Sequence, residues 1–224
     1  MGAQTTFIVS DLHLGSEHFY QREFLSWLDG LPEDAQLILN GDTIDDPRRA
    51  LGSAHEAVLE RLVRESHKRS LVWVYGNHDA GLVLDDPGRI CFVERWEIGR
   101  RLLVVHGDDF DQIMPRHGLF KTAFRFLHEL RSTLGFSRVH VAEYAKKWAF
   151  FYRVLNEHVA QNALAAARSQ GFEAVTCGHT HAIMDIEREG VRYLNTGSWT
   201  ERPLHYITVD ADEIGLCLYE GDGN

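Results

Sequence analysis

Five short apolar runs punctuate the chain, at residues 5–10, 37–40, 71–75, 101–105 and 173–177, and each breaks off into polar residues. Their length and their aliphatic or β-branched content predict buried strands. Residues 16–28 carry Phe19, Phe24, Leu25, Trp27 and Leu28, and residues 50–69 carry Leu51, Val58, Leu59, Leu62 and Val63. That spacing predicts two amphipathic helices, the first capped by Ser16. Residues 80–100 read as irregular. Strands alternating with helices predict an α/β fold with right-handed crossovers, whose sites gather beyond the carboxyl ends of the strands. The tail has strand-like runs at 182–186, 191–195, 205–209 and 214–219, with Glu189-Gly190 and Asp210-Ala211-Asp212 suited to hairpin turns. It is expected to add antiparallel strands to the earlier sheet.

Residues 115–134 and 137–170 break this pattern, because helix formers dominate and Gly171 is placed to end the second segment. Val141, Trp148 and Leu155 recur every seventh residue, with Tyr144, Phe151 and Val159 alongside. Phe120, Phe124, Phe126, Phe150 and Tyr152 exceed what one packed stripe needs. These aromatics either anchor the helices on the main body or line a cap with an apolar pocket. In the second case Arg116, Lys121 and Arg125 are the candidates to meet a substrate's phosphates.

A length of 224 residues, 44% hydrophobic, supports one core. The expectation is a single domain over residues 1–224 with a helical cap insertion at about 110–170. Cys91, Cys177 and Cys217 are odd in number and lack metal-type spacing, which fits a reducing compartment. No apolar run approaches the ~18 residues that span a bilayer, and the N-terminus lacks the pattern of a signal peptide. A cytoplasmic location is expected. The net charge of -10 is uneven: residues 110–170 hold nine Lys or Arg against four Asp or Glu, a local +5 that leaves -15 elsewhere. An acidic body suits metal ions. The basic insert suits phosphate groups or peripheral contact with an anionic inner membrane, while the acidic body counts against nucleic acid.

The polar clusters carry the chemistry. Asp11-Leu12-His13 follows the first run, Gly41-Asp42 the second, Gly76-Asn77-His78-Asp79 the third, His106-Gly107-Asp108 the fourth and Gly178-His179-Thr180-His181 the fifth. Asp11 and His13, like His179 and His181, are two apart, and in an extended segment both side chains share one side. Asp11, His13, Asp42, Asn77, His106, His179 and His181 offer seven oxygen or imidazole donors, about what two divalent ions need beside water. Mixed donors suit manganese first, or iron, zinc or cobalt, better than calcium. Asp45 and Asp46 read as supports for such ligands or as plain loop carboxylates.

As a set, in chain order and over nearly the full length, these blocks resemble the calcineurin-like metallophosphoesterase superfamily. The resemblance implies a four-layer αββα sandwich holding one ion on Asp11, His13, Asp42 and His181. A second would lie on Asp42, Asn77, His106 and His179, with Asp42 bridging. Residues 10–15, the helical insert and Asn195-Thr-Gly-Ser-Trp199 are most similar to the UDP-2,3-diacylglucosamine pyrophosphohydrolases of lipid A synthesis. Those enzymes carry Gly-Asn-Arg-Asp in the third block where this chain has His78. The alternative is therefore a soluble phosphomonoesterase or phosphodiesterase, with a nuclease or a non-catalytic binding module further behind. In the catalytic reading His78 serves the leaving oxygen and Asp79 orients its imidazole. Asn195 is a candidate for substrate contact or for shaping a turn.

Overall fold

The computed structural model describes residues 4–113 and 138–221, of which 138–149 as backbone. The strands β1 (Thr6–Val9), β2 (Gln36–Asn40) and β3 (Leu71–Val74) are buried at nearly every residue, as strands covered on both faces must be. They pair in parallel, with Thr6 opposite Gln36 and Leu37 opposite Leu71. The helices α1 (Gln21–Asp29) and α2 (Ser53–Ser66) connect them. Ser16 does not cap α1, which begins after Tyr20 without a side-chain cap, and instead holds a turn through its hydroxyl to the His18 N–H.

Side chains of successive strand residues face opposite ways, so the run of apolar residues splits into two cores. Val9, Leu37, Leu39, Leu71 and Trp73 pack with Phe24, Trp27 and Leu28 of α1 and with Val58 and Leu62 of α2. Ile8, Ile38, Val72 and Val74 form the other core with residues of a second sheet, among them Leu102, Val104 and Leu194. The first sheet runs β11-β10-β1-β2-β3-β4 and the second β5-β6-β7-β9-β8. Here β4 is Cys91–Val93, β5 Trp96–Ile98, β6 Leu102–Val104 and β7 Ala174–Cys177, followed by β8 (Met184–Arg188), β9 (Val191–Asn195), β10 (His205–Val209) and β11 (Ile214–Leu218).

Two expectations are corrected. The stretch read as irregular holds β4 and β5, three-residue strands with exposed Cys91 and Glu97 and hence no buried run to announce them. The tail does not extend one sheet. Its hairpin β8–β9 joins β7 through a parallel pairing, while β10–β11 joins β1 antiparallel in the other sheet.

The chain divides into two compact units, residues 1–108 with 163–224 and residues 109–162. In the first, the last turns of a helix α3 (Arg138–Ser169) bury Ala163, Leu164 and Ala167 and lead through Gly171 into β7. The second holds the earlier part of α3, on which Phe150, Tyr152 and Val154 are exposed. The first helical segment of the insert, with Arg116, Lys121 and Arg125, lies outside the described residues. No helix among the described residues is long and apolar enough to cross a membrane.

Near the end of α2 the buried carboxylate of Glu65 accepts hydrogen bonds from Arg61 at 2.9 Å, Lys68 at 3.1 Å and Arg69 at 2.8 Å. Burial alone would raise its pKa, but the three cationic donors outweigh it and hold the carboxyl below its usual range. A depressed pKa contributes stability that is complete above the unfolded value and fades as pH falls through the folded one. Glu65→Gln is expected to cost about 1–3 kcal/mol at neutral pH, the scale for a lost charged partner. Urea unfolding at pH 7 and in acid checks this, because the gap between the proteins should narrow as Glu65 becomes protonated.

Candidate metal centre

The loops leaving β1 and β2 continue the strand pairing past the strand ends. Asp11 N–H donates to Gly41 O at 3.1 Å, His13 N–H to Asp42 O at 3.0 Å and Leu14 N–H to Thr43 O at 2.8 Å, and Leu14 and Ile44 close a further bridge. The loops are not extended, however. Asp11 (φ 56), His13 (φ 51), Asp42 (φ 49), His179 (φ 63) and His181 (φ 56) are left-handed. The paired side chains therefore converge through local twists, which corrects the expectation of a simple pleat. Each such residue costs on the order of 1 kcal/mol and persists only where the surroundings hold it, as the cross-loop bonds do here.

Two glycines let the loops close up. A Cβ on Gly76 would stand 2.3 Å from Asp42 Oδ1, and one on Gly178 would stand 2.2 Å from Asp11 Oδ2. With those side chains absent, the ends of β1, β2, β3, β6 and β7 deliver their polar residues to one place. His13 Nε2 and His181 Nε2 are 3.2 Å apart, and His181 Nε2 is 3.2 Å from Asp11 Oδ1. His106 Nε2 lies 3.3 Å from Asp42 Oδ2, and His179 Nδ1 lies 2.9 Å from Asn77 Oδ1. Three overlapping groups, Asp11/His13/His181, His13/Asp42/His78 and Asp11/Asp42/His106, each place their donor atoms within 4.8 Å of one another.

These residues fit divalent ions on two structural counts. Asp11 Oδ2 and His106 Nε2 are buried without a hydrogen-bond partner, which is costly unless another group satisfies them. His106 Nδ1 donates to the Asn40 carbonyl at 3.0 Å, which fixes the ring and leaves the Nε2 lone pair for a ligand. Charge points the same way. Burial opposes the protonation of His106, yet Asp42 reverses this and its pKa is pushed up to about 10. Burial likewise opposes charge on His181, and Asp11 overrides it. Both carboxyls are held below the usual range against burial, Asp11 chiefly by His181 and Asp42 chiefly by His106. Buried anions so placed call for positive charge, and a metal ion supplies it more compactly than protons do.

The structure separates the remaining candidates. Asp79 does not orient His78: its buried carboxylate accepts from Gly76 N at 2.7 Å, Thr43 N at 2.8 Å and Trp73 Nε1 at 3.0 Å, bracing the loops behind the site. Asp45 reaches His78, its carbonyl accepting from Nδ1 at 2.6 Å, and Asp42 Oδ2 lies 3.8 Å from His78 Nε2. Asp46 is spent on Arg48 and Arg49. Asn195 is fully buried, donating to Gly178 O at 2.8 Å and accepting from Gly197 N at 2.9 Å, so it shapes the loop before His179 and has no face for substrate. The importance of Asp45 was signalled only by its place three residues after Asp42.

Comparison with known proteins agrees with this architecture. A family model described as the calcineurin-like phosphoesterase superfamily domain matches residues 5–213. Among solved structures, a cold-active protein-tyrosine phosphatase of a psychrophilic Shewanella is 11% identical, with 99% of this chain and 80% of that one covered at a TM-score of 0.50. Yfce, a phosphoesterase from E. coli, is 18% identical, with 97% and 94% covered at a TM-score of 0.49. No curated protein matches. At such identities the likeness to the Shewanella structure is one of fold. The family match is broader evidence, since it spans every block that reaches the site and all strands but β11. This chain belongs to the calcineurin-like phosphoesterase superfamily and is a metal-dependent hydrolase.

Proposed function

We propose that the chain hydrolyses a phosphoester or phosphoanhydride bond at a two-ion site, with Asp11, His13, Asp42 and His181 holding one ion and Asp42, Asn77, His106 and His179 the other. Manganese is the metal proposed. The observation that carries this reading is the position of Asp42, which shares one grouping of donor atoms within 4.8 Å with His13 and His78 and another with Asp11 and His106. When bound, the ions supply Lewis acidity that offsets phosphoryl charge and lowers the pKa of water. The protein's own part is to place donors and a proton. His78 Nδ1 is engaged by the Asp45 carbonyl, so proton transfer falls to Nε2. The water oxygen bonds to phosphorus and gives up a proton to solvent, the bond to the leaving oxygen breaks with its electron pair on the leaving oxygen, and His78 Nε2 delivers a proton to that leaving oxygen.

For the substrate we favour an amphiphile such as UDP-2,3-diacylglucosamine, its acyl part received by the insert and its phosphates by the basic residues of that segment. Support comes from Phe150, 60% exposed on α3, with Arg153 stacked over its ring at 5.6 Å, and from the local +5 charge of residues 110–170. Contact with a membrane would then be peripheral. The second reading is a soluble phosphomonoester or diester, favoured by His78 where the lipid A enzymes carry arginine. A panel with manganese tests both: a monoester, a diester, a nucleotide pyrophosphate, an acylated UDP-sugar with its deacylated form, and single-stranded DNA. The acylated substrate is expected to have the highest kcat/KM, since each buried methylene is worth roughly 0.8 kcal/mol. Equal kcat/KM for both forms moves the substrate to the soluble class. Inactivity on the whole panel with manganese, iron, zinc and cobalt overturns the hydrolytic reading of the site.

A further inference from the structure

Asn40 closes the apolar run of β2 with a buried amide. It lies two residues after Ile38, so its side chain faces the second sheet, where a leucine would simply extend the core. The amide is only half satisfied there. Its Nδ2 donates to the Val105 carbonyl at 3.1 Å, while Oδ1 is buried without a hydrogen-bond partner. A buried orphan acceptor is destabilising, so stability does not account for asparagine at this position. What the amide reaches is the residue before His106. On the side of β7, Val105 N–H donates to Thr176 O at 3.2 Å and the His106 carbonyl accepts from Gly178 N–H at 2.8 Å. Asn40 grips the same two residues from the first sheet, Val105 through its side chain and His106 Nδ1 through its own carbonyl at 3.0 Å. The ring also rests against the next residue, since a Cβ on Gly41 would stand 2.2 Å from His106 Nδ1. Any residue at position 40 offers a carbonyl. The amide side chain adds a hold on the backbone that carries the imidazole.

We propose that Asn40 is a positioning residue for His106, its side-chain amide tying the end of β6 to the end of β2 so that His106 Nε2 is held 3.3 Å from Asp42 Oδ2, ready for one ion. The inference rests on the role proposed above for His106. One consequence separates it from packing. Loss of the amide should loosen one ion and not the other, because only His106 depends on it, and it should do so without loss of fold stability.

The test uses the full chain, stripped of metal and titrated with Mn²⁺ by calorimetry, in native, Asn40→Leu, His106→Ala and doubly substituted forms. Leucine keeps the branching of asparagine and removes the orphan oxygen along with the donor. Asn40→Leu is therefore expected to keep the native Tm of the metal-free chain, yet to weaken one Mn²⁺ site by about 10- to 100-fold, the usual range for supporting partners. In the His106→Ala background the same change should cost nothing further, because Asn40 acts through that ring. Ile38→Val, two residues earlier on the same face, is the packing control and should lower Tm while both affinities stay native. Asn40→Ala decides the matter if the leucine variant does not fold. Native affinity at both sites, equal weakening of both, or a loss that adds to that of His106→Ala overturns the proposal. If the native chain binds no Mn²⁺, the two-ion reading fails, and magnetic resonance of the metal-free chain decides the positioning role. The His106 Nδ1 proton, identified by its loss in His106→Ala, should be protected from exchange in the native chain and unprotected in Asn40→Leu. Equal protection in both overturns it.

Discussion

Asp42→Asn is expected to lose metal and turnover together while keeping the native fold. The asparagine is nearly isosteric, and its Oδ1 can still accept the His78 backbone N–H that Asp42 takes at 2.7 Å, so the loop pairing survives. What changes is the other atom. In Asp42 it is Oδ2, 3.3 Å from His106 Nε2, and in asparagine it becomes an amide nitrogen without a lone pair to offer. The two proposed ions thus lose the anion they share. Since the ions contribute several kcal/mol of transition-state stabilisation, turnover should fall by about 10³-fold or more. Elemental analysis beside a circular-dichroism spectrum settles the assignment. Two equivalents of metal retained per chain would exclude Asp42 as the bridge.

His78→Ala should behave in the opposite way, keeping both ions yet losing about 10²- to 10⁴-fold in turnover, the range for a general acid. The geometry makes the experiment sharp, because His78 also groups with His13 and Asp42 within ligand distance. Were it a ligand, its removal would cost metal. Were it an acid, its removal would spare metal and penalise poor leaving groups most, since those need the proton before the bond can break. Measuring metal content and kcat over substrates of graded leaving-group pKa separates the two. A uniform loss across that series would argue against proton transfer from His78.

Local chemistry made much of this protein readable before its structure. Strands covered on both faces must be apolar throughout, so β1, β2, β3, β6 and β7 appear as unbroken runs. The polar residues that gather at the site appear too, each at the end of a buried run. Adjacency in the chain was a poorer guide to which residue supports which. Asp79 follows His78 directly, yet its buried carboxylate meets three donors, from β3, the loop after it and the Asp42 loop. Asp45 is 33 residues away from His78 and touches it.

The amino-acid pattern was thus sufficient for the α/β class, the order of the polar blocks and their exit from strand ends, since each depends on periodicity within a few residues. Pairing across the molecule settled the rest. Whether a tail hairpin joins β7 or β1 depends on hydrogen bonds to partners more than a hundred residues distant in the case of β10, and no local pattern encodes that choice. The left-handed backbone at Asp11, His13, Asp42, His179 and His181 is likewise unfavourable for each residue alone. It exists because the paired loops and the close approaches at Gly76 and Gly178 offset the strain, and those contacts form only when both sheets have brought their strand ends together.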